Sequence, residues 1–497
     1  MDVYGGGEKK VNLKSQAVSG VKWSGVSMGV MTALRFITLA VLAHLLSPSD
    51  FGLMGMIMVV IGFAQAFADM GISNAIIHRQ DATKDQLSSL YWLNILAGII
   101  VFFVVCASAP LVVGFYHEPR LYHPLYLTAV IFLITPFGQQ FQILMQKELR
   151  FNELAKIEIA APIVNSAVAI VLAFSGFGVY SLIWGQLAGT TTKVLMLLRT
   201  GLRNWRPGFH FSRRDLRGYL SFGLFQMGER SINYLNSNLD YLLIGSMLGA
   251  KSLGYYTLAY NLIIRPSSLI NPVITKVAFP VFSRMQNDTA KLKRGYLKVL
   301  QLLSTVNFPI MAGLAVVAPI AVPVIFGEKW LPSIILIQIL AIVGLLRSTG
   351  SPVGSLMLAK GRADLGFKWN LALTVTQIPG LYVGAKLGGT VGVAIAFAIL
   401  MCIYSVFNYI ILIRTMLGPC LHEYITSMWP SLWMSAAMAV AVLFSGIFLQ
   451  NMPDLLILII QVLCGMAIYM GLMMYSQKML VVEIKNMVLN RGVTVAK

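Results

Sequence analysis

The sequence predicts an all-α, polytopic membrane protein. Three observations carry that prediction. Of the 497 residues, 57% are apolar without counting glycine. Only 11% are charged, against about 25% in an average soluble domain. The apolar residues also cluster into runs of about 20, the length a helix needs to cross a bilayer. A single soluble core could not hide this much apolar side chain, because a domain of this size must still cover itself with a polar surface. The mean hydropathy of +0.75 agrees. A soluble enzyme, a disordered tail and a disulfide scaffold are excluded.

About fourteen spans can be read in order. They run over 20–43, 52–77, 89–115, 122–145, 157–175, 177–198, 218–248, 253–280, 299–326, 331–358, 367–386, 391–413, 427–449 and 454–476. Short glycine turns at Gly176-Phe177-Gly178 and Gly388-Gly389 split two of the pairs. The first span is too long for a cleavable signal and has no small-residue cleavage site.

The chain carries 38 Lys and Arg against 19 Asp and Glu, a formal charge of +19. Cytoplasmic loops retain basic residues, so their distribution reports orientation. With the N-terminus inside, 30 of the 38 fall on the cytoplasmic side, Lys193 among them, and 4 outside: Arg120, Lys251, Lys329 and Lys386. This split predicts an even number of spans and two cytoplasmic termini. The densest loop, Arg199 to Arg217, reads as a topology anchor on anionic lipid head groups. No nucleic-acid partner is expected.

No cofactor is expected either. Cys106, Cys402 and Cys464 sit in apolar spans and Cys420 in a connection, so no disulfide framework is indicated. His117, Glu118 and His123 share an outer loop without a metal-ligand spacing. P-loop, HExxH and serine-elbow motifs are missing from the sequence, which therefore reads as a transporter and not an enzyme.

The chain repeats internally. Leu46–Leu53 resembles Leu248–Tyr255 at an offset of 202, and Leu144–Lys147 resembles Met357–Lys360 at an offset of 213. The difference of 11 is assigned to the basic loop at 284–298. These matches place span 1 on span 7 and span 4 on span 10. Two units of six spans each have the same orientation, a parallel repeat of the transporter kind. The domains follow: a cytoplasmic tail at 1–18, an N-lobe with spans 1–6 at 19–205, a C-lobe with spans 7–12 at 206–416, and spans 13–14 with a cytoplasmic tail at 417–497.

Span 7 carries the sharpest local pattern. Gln226, Arg230, Asn233, Ser237 and Asp240 are spaced 4, 3, 4 and 3, and so share one helix face. A polar stripe cannot face lipid. At the offset of 202, Arg35 falls on Ser237 and Thr38 on Asp240. Two related helices with polar faces imply a shared central cavity; helix–helix hydrogen bonding would explain the Asn and Ser positions alone. Arg35, Arg230, Arg265 and Arg347 against Asp69, Glu229 and Asp240 leave one net positive charge within the spans. That balance suits an anion, and guanidinium is the fork that fits phosphate. Internal ion pairs, such as Arg35 with Asp69, are the competing explanation.

Several segments resemble a known family. They are Ala40–Leu53, Tyr91–Asn94, Gly138–Phe151, Ile232–Asp240, Phe326–Trp330 and Val343–Lys360. As an ordered set they resemble the Wzx-type polysaccharide flippases, nearest the colanic acid exporter subgroup of the multidrug/oligosaccharidyl-lipid/polysaccharide exporter superfamily. The resemblance implies two six-helix lobes in a V, plus two C-terminal helices. It also implies a bacterial inner-membrane flippase working by alternating access. The cargo would be an oligosaccharide repeat unit linked by diphosphate to undecaprenol, delivered for exopolysaccharide or lipopolysaccharide assembly. Membrane lipids, and polymerase or export machinery, would be its partners. Asp69 and Arg347 match the family pattern best, whereas His44 departs from the arginine many relatives carry. Arg35, Arg230, Arg265, Arg347 and Asn233 are the expected substrate-binding residues, and Asp69, Asp240 and Glu229 the ion-coupling candidates. The alternatives are a cation-coupled drug or metabolite antiporter of the same superfamily, or a membrane polysaccharide polymerase or ligase.

Overall fold

The structure, a computed structural model, describes residues 13–68, 83–212, 219–449 and 451–478. These residues are almost entirely helical. The helices are α1 (Leu13–Leu45), α2 (Pro48–Ala68), α3 (Lys84–Tyr116), α4 (Tyr122–Ala129), α5 (Ile131–Lys147), α6 (Phe151–Phe174) and α7 (Val179–Gly201). They continue with α8 (Tyr219–Ser237), α9 (Leu239–Arg284), α10 (Thr289–Phe326), α11 (Ser333–Ala359), α12 (Ala363–Phe407), α13 (Leu421–Phe448) and α14 (Asp454–Ser476). In hydrocarbon every backbone N–H and C=O must be satisfied within its own segment, which selects helices for a chain this apolar.

Nine helical runs among the described residues are long and apolar enough to cross a membrane. One of them, Asp364–Leu417, spans two predicted crossings and is broken at Gly388-Gly389. Large apolar side chains lie outward, with Leu111 and Phe448 about four-fifths exposed. In water such a surface would drive aggregation; against lipid it is the expected exterior.

By its contacts the chain divides into residues Met1–Lys251 and Ser252–Lys497. In the first unit α1 packs on α6, α6 on α7, α7 on α5, α5 on α3, α3 on α2 and α2 on α8. Small residues set the α6–α7 distance. A Cβ at Gly185 would lie 2.8 Å from the Asn165 carbonyl, and one at Gly189 2.9 Å from that of Ala161. This Gly-xxx-Gly spacing permits close backbone approach. Thr38 on α1 donates to Ser166 on α6 at 2.7 Å, so the expected counterpart of Asp240 serves as a helix–helix hydrogen bond.

In the second unit α10 packs on α11, α13 and α14, so the last two helices are part of this unit's core. Polar side chains join them. Tyr469 on α14 donates to the Thr305 carbonyl at 2.7 Å, and the Thr305 and Ser431 hydroxyls lie 3.0 Å apart. Lys293 and Glu423 pair at 2.8 Å. Deeper in the unit, Ser267 donates to Asn307 and Asn307 to Asn271, each at 3.0 Å.

The repeat is visible in the turns. The chain breaks at Ser47 between α1 and α2, and at Gly249 inside α9 (φ 79°, ψ 178°), 202 positions later. Leu149 and Gly361 are both left-handed, at φ 58° and 67°, 212 positions apart. Each precedes an arginine that forks onto an acidic residue in the next helix: Arg150 onto Glu153 at 2.8 Å, Arg362 onto Asp364 at 3.0 Å. Gly178 (φ 52°, ψ −132°) and Gly389 (φ 56°, ψ −138°) share a conformation that only glycine tolerates, 211 positions apart. The stretch 284–298, expected to hold the difference in offset, is helix from Thr289 onward. Five of the extra residues lengthen a helix: α10 has 38 residues where α3 has 33.

Two outcomes follow. Gly389→Ala meets no neighbouring atom, so its cost is conformational. It should destabilise the protein by about 1–3 kcal/mol, read as a lowered midpoint in thermal unfolding. Glu118, in the connection after α3, accepts hydrogen bonds from the Arg120 guanidinium, which hold its carboxyl below the ordinary range. The native value is depressed, so the pair's contribution is present above the unfolded pKa of about 4.3 and disappears as pH falls through the native value. Glu118→Gln should flatten the acid limb of stability against pH, by less than about 1 kcal/mol because the arginine is mostly exposed.

Candidate functional site

The first unit carries an open cavity of about 890 Å³, within the range of small-molecule sites. Four helices wall it. From α2 come Gly62, Gln65 and Ala66; from α5, Thr135, Gln139, Gln142 and Gln146; from α7, Thr190 and Lys193; from α8, Arg230, Asn233, Tyr234 and Ser237. The polar stripe read in span 7 therefore faces this cavity over three of its five positions. The lining contains two cations and, among the described residues, no carboxylate.

The packing of α2 on α8 shapes the wall. Tyr234 donates to the Met58 carbonyl at 2.8 Å, and its hydroxyl occupies the space a Cβ on Gly62 would need. Gly62 is thus a glycine by contact, since its backbone is ordinary helix. On the opposite side, Gly138 lets α5 approach α7: a Cβ there would lie 3.1 Å from Val194 and 3.2 Å from Leu197.

The sequence-expected site residues fall in different places. Arg230 and Asn233 line the cavity. Arg35 is exposed on α1 and is not among the lining residues. Asp240 is 2% exposed and accepts the Tyr241 backbone N–H at 3.0 Å, in the first turn of α9. Asp69 lies outside the described residues, and of Glu229 only the backbone is described. Arg265 and Arg347 belong to the second unit. There Arg265 donates to Asn261 at 2.9 Å and Arg347 to the Tyr260 hydroxyl at 2.9 Å, so consecutive residues of α9 orient both guanidinium groups.

One assignment is corrected. Lys193, expected as a cytoplasmic anchor, sits two turns inside the end of α7 and faces the cavity. In the sequence alone, a lysine near the end of an apolar run resembles a loop residue. Glu158 on α6 exerts a charge interaction on it. The glutamines of α5 were also missed. Gln139, Gln142 and Gln146 are spaced 3 and 4, and that signal was present in the sequence.

A family model described as polysaccharide biosynthesis protein matches residues 41–335. The lipopolysaccharide biosynthesis protein WzxC of Escherichia coli K12 is 36% identical, covering 89% of this chain and 90% of its own length. Among solved structures, the lipid II flippase MurJ in an inward closed conformation superposes with a TM-score of 0.74 at 13% identity. It covers 93% of this chain and 100% of its own. An inward-facing multidrug resistance MATE family transporter of the MOP superfamily superposes with a TM-score of 0.58 at 19% identity, covering 78% and 94%. At these identities the structural likeness concerns the fold, and it agrees with the superfamily architecture expected from the sequence.

The α2–α8 contact can be tested by exchange. Gly62→Ala should displace the Tyr234 ring and lower the thermal midpoint. Adding Tyr234→Ala should recover part of the loss, giving a coupling energy of about 0.5–3 kcal/mol in a double-mutant cycle.

Proposed function

Since the chain belongs to the polysaccharide biosynthesis protein family, we propose that it is a lipid-linked oligosaccharide flippase of the bacterial inner membrane. It moves undecaprenyl-diphosphate-linked repeat units from the cytoplasmic to the periplasmic leaflet, by alternating access. The chain is a transporter and catalyses no covalent chemistry. The observation that carries this reading is the cavity: polar on four helices, cationic at Arg230 and Lys193, and without a carboxylate among its described lining residues.

Arg230 and Lys193 neutralise the diphosphate, and Asn233 donates beside them. Guanidinium provides the paired donors that suit phosphate oxygens, and lysine adds a point charge. Arg35, Arg265 and Arg347 act on the same anion at other stages of the cycle. Asp240, Asp69 and Glu229 are the candidates for the coupling cation. A cation-exporting antiporter would need acidic lining, which the described wall does not supply. In this reading the chain crosses the membrane fourteen times with both termini cytoplasmic, and delivers its cargo to polymerase or export machinery.

Arg230→Ala removes a charge-assisted contact worth about 1.5–3 kcal/mol. Export should fall at least about tenfold, with lipid-linked oligosaccharide accumulating in the cytoplasmic leaflet, and Arg230→Lys should retain part of the activity. Wild-type export by Arg230→Ala, Arg35→Ala and Arg347→Ala alike would refute the anion site. For topology, an impermeant thiol reagent on intact cells should label a cysteine replacing Lys251 and spare one replacing Arg203. The reverse pattern would overturn the orientation.

A further inference from the structure

The cavity has a feature that neutralising a diphosphate does not require. Gln139, Gln142 and Gln146 form one face of α5, and Gln65 faces the same space from α2. From Gln139 to Gln146 the ladder covers about 10 Å along the helix axis, at 1.5 Å per residue. It ends one residue before the close of α5 at Lys147, the cytoplasmic end in the orientation proposed above. All four side chains are half-buried. Gln65, Gln142 and Gln146 make no side-chain hydrogen bond to another described residue. Gln139 is held from behind by Asn94 at 3.5 Å. Gln140, which points away from the cavity, is instead spent on the Leu87 carbonyl at 2.8 Å.

Primary amides in membrane helices normally bond to neighbouring helices. Gln140 does so on the rear face of α5, whereas Gln65, Gln142 and Gln146 make no such bond among the described residues, which suits them to something that enters the cavity. The chemistry of the row narrows the ligand. Each amide offers two N–H donors and a carbonyl acceptor, and carries no charge. Such groups match hydroxyls, which also donate and accept. They are a poor choice for a dianion, which takes donors only, and for a lipid tail, which takes neither. Thr135 and Thr190 extend the same hydroxyl-matching wall.

We propose that the α5 glutamine ladder reads the saccharide of the cargo. Gln142 and Gln146, with Gln65 opposite, hydrogen-bond uncharged sugar hydroxyls, while Arg230 and Lys193 hold the anionic link. This deepens the flippase reading and rests on it. The rungs are one helical turn apart, so a sugar leaving one amide meets the next. The ladder is therefore a graded path from the end of the helix into the cavity, and it decides which repeat units are accepted. A site that pairs with hydroxyls disfavours a ligand lacking them, because its own polar groups are then left buried and unpaired.

The test uses the full chain in lipid nanodiscs and two probes. One is undecaprenyl diphosphate without sugar. The other is undecaprenyl diphosphate carrying the native repeat unit, extracted from cells lacking this protein. Wild type should bind the glycosylated lipid more tightly. Gln142→Met with Gln146→Met keeps the volume and removes the hydrogen bonds. It should weaken binding of the glycosylated lipid about tenfold and leave the sugar-free lipid within about twofold. The single variant Gln146→Met, at the end of the helix, provides the same reading with a smaller effect if the double variant unfolds at a lower temperature. Equal weakening of both lipids, or no weakening of either, overturns the ladder. Arg230→Gln serves as the separate check: if it leaves the sugar-free lipid bound as in wild type, the anion site fails while the ladder is judged on its own result.

Discussion

A polar side chain inside hydrocarbon must face protein or water, and the architecture of the first unit follows from that constraint. Arg230, Lys193, Gln65 and the α5 glutamines sit on four different helices in a chain that is otherwise apolar. They can share one space only if α2, α5, α7 and α8 turn their polar faces toward each other. The close approaches at Gly62, between α2 and α8, and at Gly138, between α5 and α7, bring these helices near enough, and the exposed leucines and phenylalanines are then left to the lipid. The buried polar groups of the second unit obey the same constraint differently. Asn271, Ser267 and Asn307 satisfy one another, and Thr305, Ser431 and Tyr469 tie α13 and α14 to α10.

The internal repeat survives in backbone geometry better than in side chains. Gly178 and Gly389 are a pair, yet their flanking sequences share little. Arg150 and Arg362 each pin the next helix through an acid, Glu153 in one unit and Asp364 in the other, at different spacings. Turn conformation constrains a residue through its own φ and ψ, so the requirement persists while neighbouring side chains change. This is why two weak sequence matches sufficed to find the repeat.

Much of the fold was legible in the sequence because span length, glycine turns and loop charge are all local signals. The site was legible only in part. Arg230 and Asn233 were found because their spacing on one helix is periodic, and Gln139, Gln142 and Gln146 were equally periodic. Uncharged amides give a weaker signal than ions in a membrane helix, because they are common in helix–helix contacts. Lys193 was lost for the opposite reason: it was counted as a charge and assigned by its nearness to a loop, although its face of α7 points inward. Which arginines share a space is a tertiary question. Arg265 and Arg347, oriented by Asn261 and Tyr260, could not be separated from Arg230 by sequence position.

The central claim is that a cationic cavity in this chain carries a diphosphate-linked sugar across the bilayer. Reconstitution measures it directly. Liposomes loaded with the undecaprenyl-diphosphate-linked repeat unit, with and without the purified chain, would be treated with an impermeant glycosidase added outside. The wild-type chain should expose inner-leaflet oligosaccharide to the enzyme, and a variant with both Arg230→Ala and Lys193→Ala should leave it as protected as in protein-free liposomes. Protection unchanged by the wild-type chain, or lost equally with the variant, would contradict it.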